Sequence, residues 1–194
     1  MRRPIATSFS YLLLAAGTVL VFMGTREYLD SRLGQVQAAR SFANPGEGTE
    51  YVPPRLGQSI AKLTIPRLSA ELYVVEGDGA QQLRLGPGHL KGTVLPGSNG
   101  NCVIAGHRDT HFRILKDIRK GDEIVIETEA GQFVYRVTSL AVVPPSDTDP
   151  LQPVASHAEL NLITCYPFYY VGPAPERFVV TAELEHSVPA DSSM

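Results

Sequence analysis

The sequence predicts a mainly β domain with short helical insertions, preceded by one apolar amino-terminal helix. Three observations carry that prediction. Beyond Ser59 short β-rich runs are separated by Gly, Pro, Asn and Asp turns, several runs alternate polar and apolar residues at period two, and no charge interrupts the chain between Arg3 and Arg26. The chain of 194 residues and 21.1 kDa fits one ordinary domain plus a short extra segment. Its 43% hydrophobic and 19% charged residues place it among folded chains.

The first element is centred on Tyr11 to Met23, which is almost wholly apolar. About 20 helical residues rising ~1.5 Å each cross a ~30 Å hydrocarbon core, so this helix is long enough to span a membrane. Arg2 and Arg3 precede it, and basic residues stay on the cytoplasmic side. The expectation is therefore a single-pass anchor over residues 1–25 with the rest of the chain outside. A cleaved signal peptide shares the basic start and apolar core, but no small-x-small site follows Met23. Residues 26–58 are expected to form a stalk and linker, helix-compatible to about Phe42 and then broken by Asn44-Pro-Gly and Pro53-Pro54.

The domain proper is expected over residues 59–186, with a polar tail at 187–194. Its strand candidates are Ile60–Ile65, Leu72–Val75, Cys102–Ala105, Glu123–Glu127, Phe133–Val137, Leu160–Ile163 and Phe178–Thr181. Short helices fit Gly79–Leu85 and Phe112–Ile118. A closed barrel and a sandwich both suit this spacing.

Composition excludes several functions. Lys and Arg number 17 against 20 Asp and Glu, giving a net charge of −3, and no basic block offers a phosphate-neutralising patch, so nucleic acid is not an expected partner. Two cysteines, Cys102 and Cys165, are too few for a disulfide framework or a cysteine zinc site.

Chemistry-bearing residues collect at two strand ends. Cys102-Val-Ile-Ala-Gly106 stops at His107-Arg-Asp-Thr-His-Phe112, and Leu160-Asn-Leu-Ile-Thr164 stops at Cys165-Tyr-Pro-Phe168, with Arg177 twelve residues on. A thiolate is a nucleophile for acyl transfer, a histidine can protonate a leaving amine, and a guanidinium can stabilise an oxyanion. Taken singly, each also has a plainer explanation: a small buried hydrophobe, a loop polar residue, a solvated charge.

Ala105-Gly-His-Arg-Asp-Thr-His-Phe112, Leu162-Ile-Thr-Cys-Tyr-Pro-Phe168 and Ala174-Pro-Glu-Arg-Phe-Val-Val180 together resemble the His, Thr-Cys and Arg signatures of sortases. Gly86-Pro-Gly-His-Leu90 and the Pro-Gly at 96–97 resemble the segment before that family's histidine. The resemblance covers about Ile60 to Leu184, and class D and the sortases of Gram-negative bacteria are nearest. It implies a closed sortase β-barrel and a cysteine transpeptidase. Cys165 would attack the Thr carbonyl of an LPXTG-like sorting signal on a surface protein, and the thioester would pass to an amine. A cell-wall peptide, a pilin lysine or water could accept it. His107 would serve as acid and then base, Arg177 would hold the carbonyl or its oxyanion, and Thr164 would help shape that site. The enzyme would sit in the bacterial cytoplasmic membrane with its domain on the extracytoplasmic side.

The neighbours are weighed separately. His111 lies four residues past His107, but no third ligand stands at metal spacing, so it is expected to line the substrate pocket rather than hold a metal. Phe168 and Tyr169, with Tyr170 beside them, could line the peptide groove or anchor their loop. Asp147 and Asp149, among prolines, describe a loop more simply than a calcium site. No cofactor and no metal is expected. The resemblance implies that His107 and Cys165 stand at the same ends of neighbouring parallel strands; Cys102 lies five residues before His107, roughly 16 Å along a strand, so a disulfide with Cys165 is not expected and Cys102 is expected in the core. The rivals are an L,D-transpeptidase, which usually carries a Ser-x-Gly-Cys-Arg-like motif, and a membrane-tethered β-domain that binds surface proteins without catalysis.

Overall fold

The computed structural model describes residues 4–43 and 53–190. Arg2, Arg3, most of the expected linker and the last four residues of the expected tail lie outside the described residues. One long helix, α1 (Pro4–Ala43), leads to eight strands that close into a barrel. The strands are β1 (Ser59–Ile65), β2 (Ala70–Glu76), β3 (Gly88–His89), β4 (Gly100–Gly106), β5 (Glu123–Thr128), β6 (Gly131–Val143), β7 (Ala158–Tyr166) and β8 (Glu176–Pro189). Their order around the barrel is β1-β2-β3-β4-β7-β8-β6-β5. A short helix, α2 (Ala80–Leu85), joins β2 to β3, and a 3-10 helix at His111–Asp117 follows β4.

The barrel closes because each strand carries an apolar inward face. Ala61, Leu63 and Ile65 of β1, Cys102 and Ile104 of β4, Ile124 and Ile126 of β5, Leu160 and Leu162 of β7, and Val180 and Ala182 of β8 form one buried core. Period two along a strand gives this alternation, and closure leaves no free sheet edge. Most neighbours are antiparallel, but the short β3 runs parallel to β2, and β4 and β7 run parallel with Gly106 opposite Thr164. Parallel neighbours need a crossover, and here the 3-10 helix and the β5–β6 hairpin supply it. Consequently β4 and β7 end together, and β8 starts beside them.

The chain builds one continuous helix across the expected span and stalk. Its first part exposes Tyr11, Leu12, Leu13, Leu14, Leu20, Val21, Phe22 and Met23 with no protein surface against them. Such an all-round apolar helix is compatible with membrane anchoring. Its second part docks on the barrel instead of standing free. The Gln35 amide donates to the Tyr73 and Leu85 carbonyls at 3.0 and 2.9 Å and accepts from the Tyr73 N–H at 2.7 Å. Phe42 stacks obliquely on Tyr73. Gly34 permits this approach, because a Cβ there would lie 2.6 Å from the Leu85 Cα.

Candidate functional site

The parallel pairing of β4 and β7 assembles the site. Past the Gly106–Thr164 pair, the next residues on the two strands are His107 and Cys165, and Cys165 pairs in turn with Arg177 at the start of β8. Residues separated by 58 and 12 positions in sequence thus occupy adjoining ends of three neighbouring strands. Leu160, Leu162 and Val180 point inward with the core, so Cys165 and Arg177, at odd steps from them, fall on the barrel's outer face. His107 is exposed, and Cys165 and Arg177 are half-buried. All three can therefore meet a ligand from solvent.

Thr164 lies directly beneath. It is 2% exposed and its hydroxyl donates to the Gly106 carbonyl at 2.6 Å, tying the ends of β4 and β7 together. The Arg177 guanidinium donates to the Glu176 carbonyl at 2.9 Å, which fixes its direction while leaving further N–H groups for another acceptor. Gly106 is small for a reason: a Cβ there would sit 2.6 Å from the Phe112 ring, and Phe112 folds back to donate its N–H to the His107 carbonyl at 3.0 Å. The Gly-His pair and the phenylalanine five residues on from His107 are thus one packing unit.

The other predicted residues are distributed differently. His111 is only 5% exposed and faces α1, with Nε2 at 3.3 Å from the Ser31 hydroxyl and a hydrogen bond to the Arg84 backbone. Burial, reinforced by the nearby His107 and Arg32, holds its pKa below the ordinary histidine value. Phe168 packs edge-on against Tyr166 and Phe178 and so anchors the β7–β8 loop. Tyr169 and Tyr170 stand exposed. Cys102 is a free thiol at 1% exposure, in register with Leu160 inside the barrel, and burial pushes its pKa up. Asp147 accepts the Asp149 N–H at 2.9 Å, a turn within its own loop.

One group escaped the sequence reading. Arg108, next to His107, donates to the carbonyls of Pro167, Tyr170 and Gly172 at 3.1, 2.9 and 3.1 Å, and lies over the Tyr170 ring. Arg113 and Lys116 of the 3-10 helix lie over the Tyr169 ring. The segment after the histidine therefore grips the loop after the cysteine. The only signal in sequence was the position of Arg108 beside a candidate catalytic residue, since its partners are main-chain oxygens.

Comparison with known proteins converges on one family. The sortase domain family profile matches residues 63–185. Sortase D of Bacillus subtilis (strain 168) is 34% identical over 184 residues, covering 87% of this chain and 93% of that protein. Among solved structures, a Clostridium perfringens sortase D5 transpeptidase is similar at a TM-score of 0.66 and 27% identity, covering 81% of this chain and 99% of that one. Sortase E of Streptomyces avermitilis is similar at 0.61 and 30% identity, covering 72% and 96%. The matched segment runs from β1 to the middle of β8 and contains all three strand ends that meet at Cys165, so the chain belongs to the sortase family of cysteine transpeptidases.

Proposed function

We propose that this chain is a single-pass membrane enzyme that cleaves an LPXTG-like sorting signal on a surface protein and transfers the product to an amine. The observation that carries the reading is the register placing His107, Cys165 and Arg177 side by side on the outer face of β4, β7 and β8. The Cys165 sulfur attacks the scissile carbonyl carbon, and the carbonyl oxygen becomes an oxyanion faced by the Arg177 guanidinium. As the C–N bond breaks, His107 delivers a proton to the departing amine and a thioester remains on Cys165. An incoming amine then attacks that thioester, gives its proton to His107 and leaves as the new amide, regenerating the cysteine. Thr164 acts from beneath, holding the Cys165 strand end against that of His107.

The exposed apolar part of α1 supports anchoring, and Arg2 and Arg3 ahead of it favour a barrel on the extracytoplasmic side of the cytoplasmic membrane. Domain limits follow the same division, an anchor at 1–25, a connecting segment at 26–58 whose helical part rests on the barrel, and the catalytic domain from 59, except that β8 carries this domain past 186 to Pro189, into the expected tail.

The test is intact-protein mass spectrometry of the full chain in detergent, incubated with a panel of LPXTG-like peptides with and without an added amine. An acyl adduct on Cys165 that disappears in Cys165→Ala and is depleted by the amine is expected. Turnover that persists in Cys165→Ala refutes the mechanism.

A further inference from the structure

The docked half of α1 fixes which end of the barrel meets the membrane. Its contacts run from Phe42 on Tyr73, through Gln35 on Tyr73 and Leu85, to Ser31 beside His111. The end of the docked stretch nearest the apolar part of α1, Ser31, thus lies beside the segment that follows β4, at the end of the barrel where β4 and β7 finish. From Met23, the last residue of the apolar core, to Ser31 is eight residues, about 12 Å of helix. Each headgroup layer is about 5–8 Å deep, so the His111 level lies just above the lipid surface.

The β7–β8 loop leaves the barrel at this same end, and its tip presents an unusual surface. Tyr169 is 72% exposed, Tyr170 46% and Val171 99%. These side chains are not floppy: Phe168 roots the loop in the core, and Arg108 and the rings' cation contacts hold it. The 3-10 helix that touches α1 through His111 is the one that carries Arg113 and Lys116 against Tyr169. From Arg108 to Lys120 the chain has Arg108, Arg113, Lys116, Arg119 and Lys120 against Asp109 and Asp117. Tyrosines with an apolar neighbour, ringed by an excess of cations, match the chemistry of an anionic lipid interface.

We propose that the Tyr169-Tyr170-Val171 tip seats on the outer surface of the bilayer beside the span, forming a second membrane contact that turns the Cys165 strand end towards the lipid. This rests on the single-pass reading above. It gives that reading a reason: a protein still held by its own membrane span offers the peptide bond next to that span at the lipid surface, where Cys165 would lie.

The chain contains no tryptophan, so one introduced indole reports one place. Val171→Trp, Phe22→Trp and Glu129→Trp mark the tip, the span and the β5–β6 turn at the opposite end of the barrel. Each full-length variant is placed in phosphatidylglycerol-phosphatidylcholine nanodiscs with bromine high on the acyl chains. We expect Phe22→Trp and Val171→Trp to be quenched, the latter losing about half its emission as befits a side chain buried 5–10 Å into the interface, while Glu129→Trp is not. Omitting phosphatidylglycerol should weaken the quenching of Val171→Trp only. Quenched Phe22→Trp with unquenched Val171→Trp overturns the second contact, leaves the anchor standing and frees the tip to line the peptide groove. Unquenched Phe22→Trp overturns the anchor itself and this inference with it. Equal quenching of Val171→Trp and Glu129→Trp also overturns it, by showing that indole alone brings the barrel down.

Discussion

Removing the Arg108 side chain should release the loop that follows Cys165 while leaving the barrel intact. Three guanidinium-to-carbonyl hydrogen bonds of 2.9–3.1 Å and one ring contact hold residues 167–172. A buried charged hydrogen bond contributes about 1.5–3 kcal/mol, but two of these three are exposed, so about 0.5 each for the bonds and another 0.5 for the ring is appropriate. The total, about 2 kcal/mol, corresponds to a roughly 30-fold increase in the open fraction of the loop. Tyr169 and Tyr170 make the loop tip a chymotrypsin site, and cleavage there follows the open population when reclosing is fast. In Arg108→Ala, cleavage at 169–170 should accelerate about 30-fold with the Tm nearly unchanged, because the loop lies outside the core. Arg108→Lys should recover less than half of the protection, since one ammonium group cannot satisfy three separated carbonyls as a planar fork does. Cleavage at the wild-type rate in Arg108→Ala would refute the clamp. Full protection in Arg108→Lys would show that charge alone, not the fork, holds the loop.

Three other outcomes are expected. Thr164→Val keeps the shape but orphans the Gly106 carbonyl, and should cost about 1–2 kcal/mol in denaturant unfolding, whereas Thr164→Ser should retain most of it. Gly34→Val drives a side chain into the Leu85 backbone, so trypsin should cut after Arg32 roughly tenfold faster while the near-ultraviolet signal of the barrel persists. The Asp122 carboxylate accepts from Arg67 Nε and Nη2 at 2.6 and 2.7 Å and from the Arg119 N–H at 2.7 Å, and the Arg67 hydrogen bond leads in holding its pKa below the usual carboxylate range. A carboxyl depressed in the folded state stabilises above its unfolded pKa of about 3.9 and loses that contribution as pH falls through the lower folded value. Asp122→Asn should therefore lower the Tm at neutral pH and show a shallower Tm decline below about pH 4, measured by thermal scans across pH.

Much of the barrel was legible because inward faces carry their own pattern. Ile60–Ile65, Leu72–Val75 and Glu123–Glu127 fall within β1, β2 and β5, and in β1 and β5 buried positions alternate with more exposed ones. β3 was not, since two residues between glycines have no period to show. β6 and β8 extend well past Phe133–Val137 and Phe178–Thr181, because in this antiparallel pair each extension lies along the other strand's predicted run and, being mostly exposed, needs no alternation of apolar residues. The sequence split α1 into span and stalk on hydropathy, yet its second half docks through scattered single residues, the Gln35 amide, the missing Cβ of Gly34, the Phe42 ring and the Ser31 hydroxyl. At the site, His107, Cys165 and Arg177 stood out by residue type at strand ends. Arg108 did not, because it speaks to main-chain oxygens 59–64 residues away, which no local pattern encodes.

The strand order has a consequence for how such a chain becomes active. β8, the last strand to be made, is an inner member of the wall, inserted between β6 and β7, and it brings Arg177 to Cys165. Made in chain order, the barrel carries Cys165 beside an open seam between β6 and β7 until β8 arrives. The thiol can be present, and even exposed, well before the guanidinium that would complete its surroundings. A copy truncated before β8 keeps Cys165 but lacks both the strand that closes the barrel and the Arg177 that pairs with it.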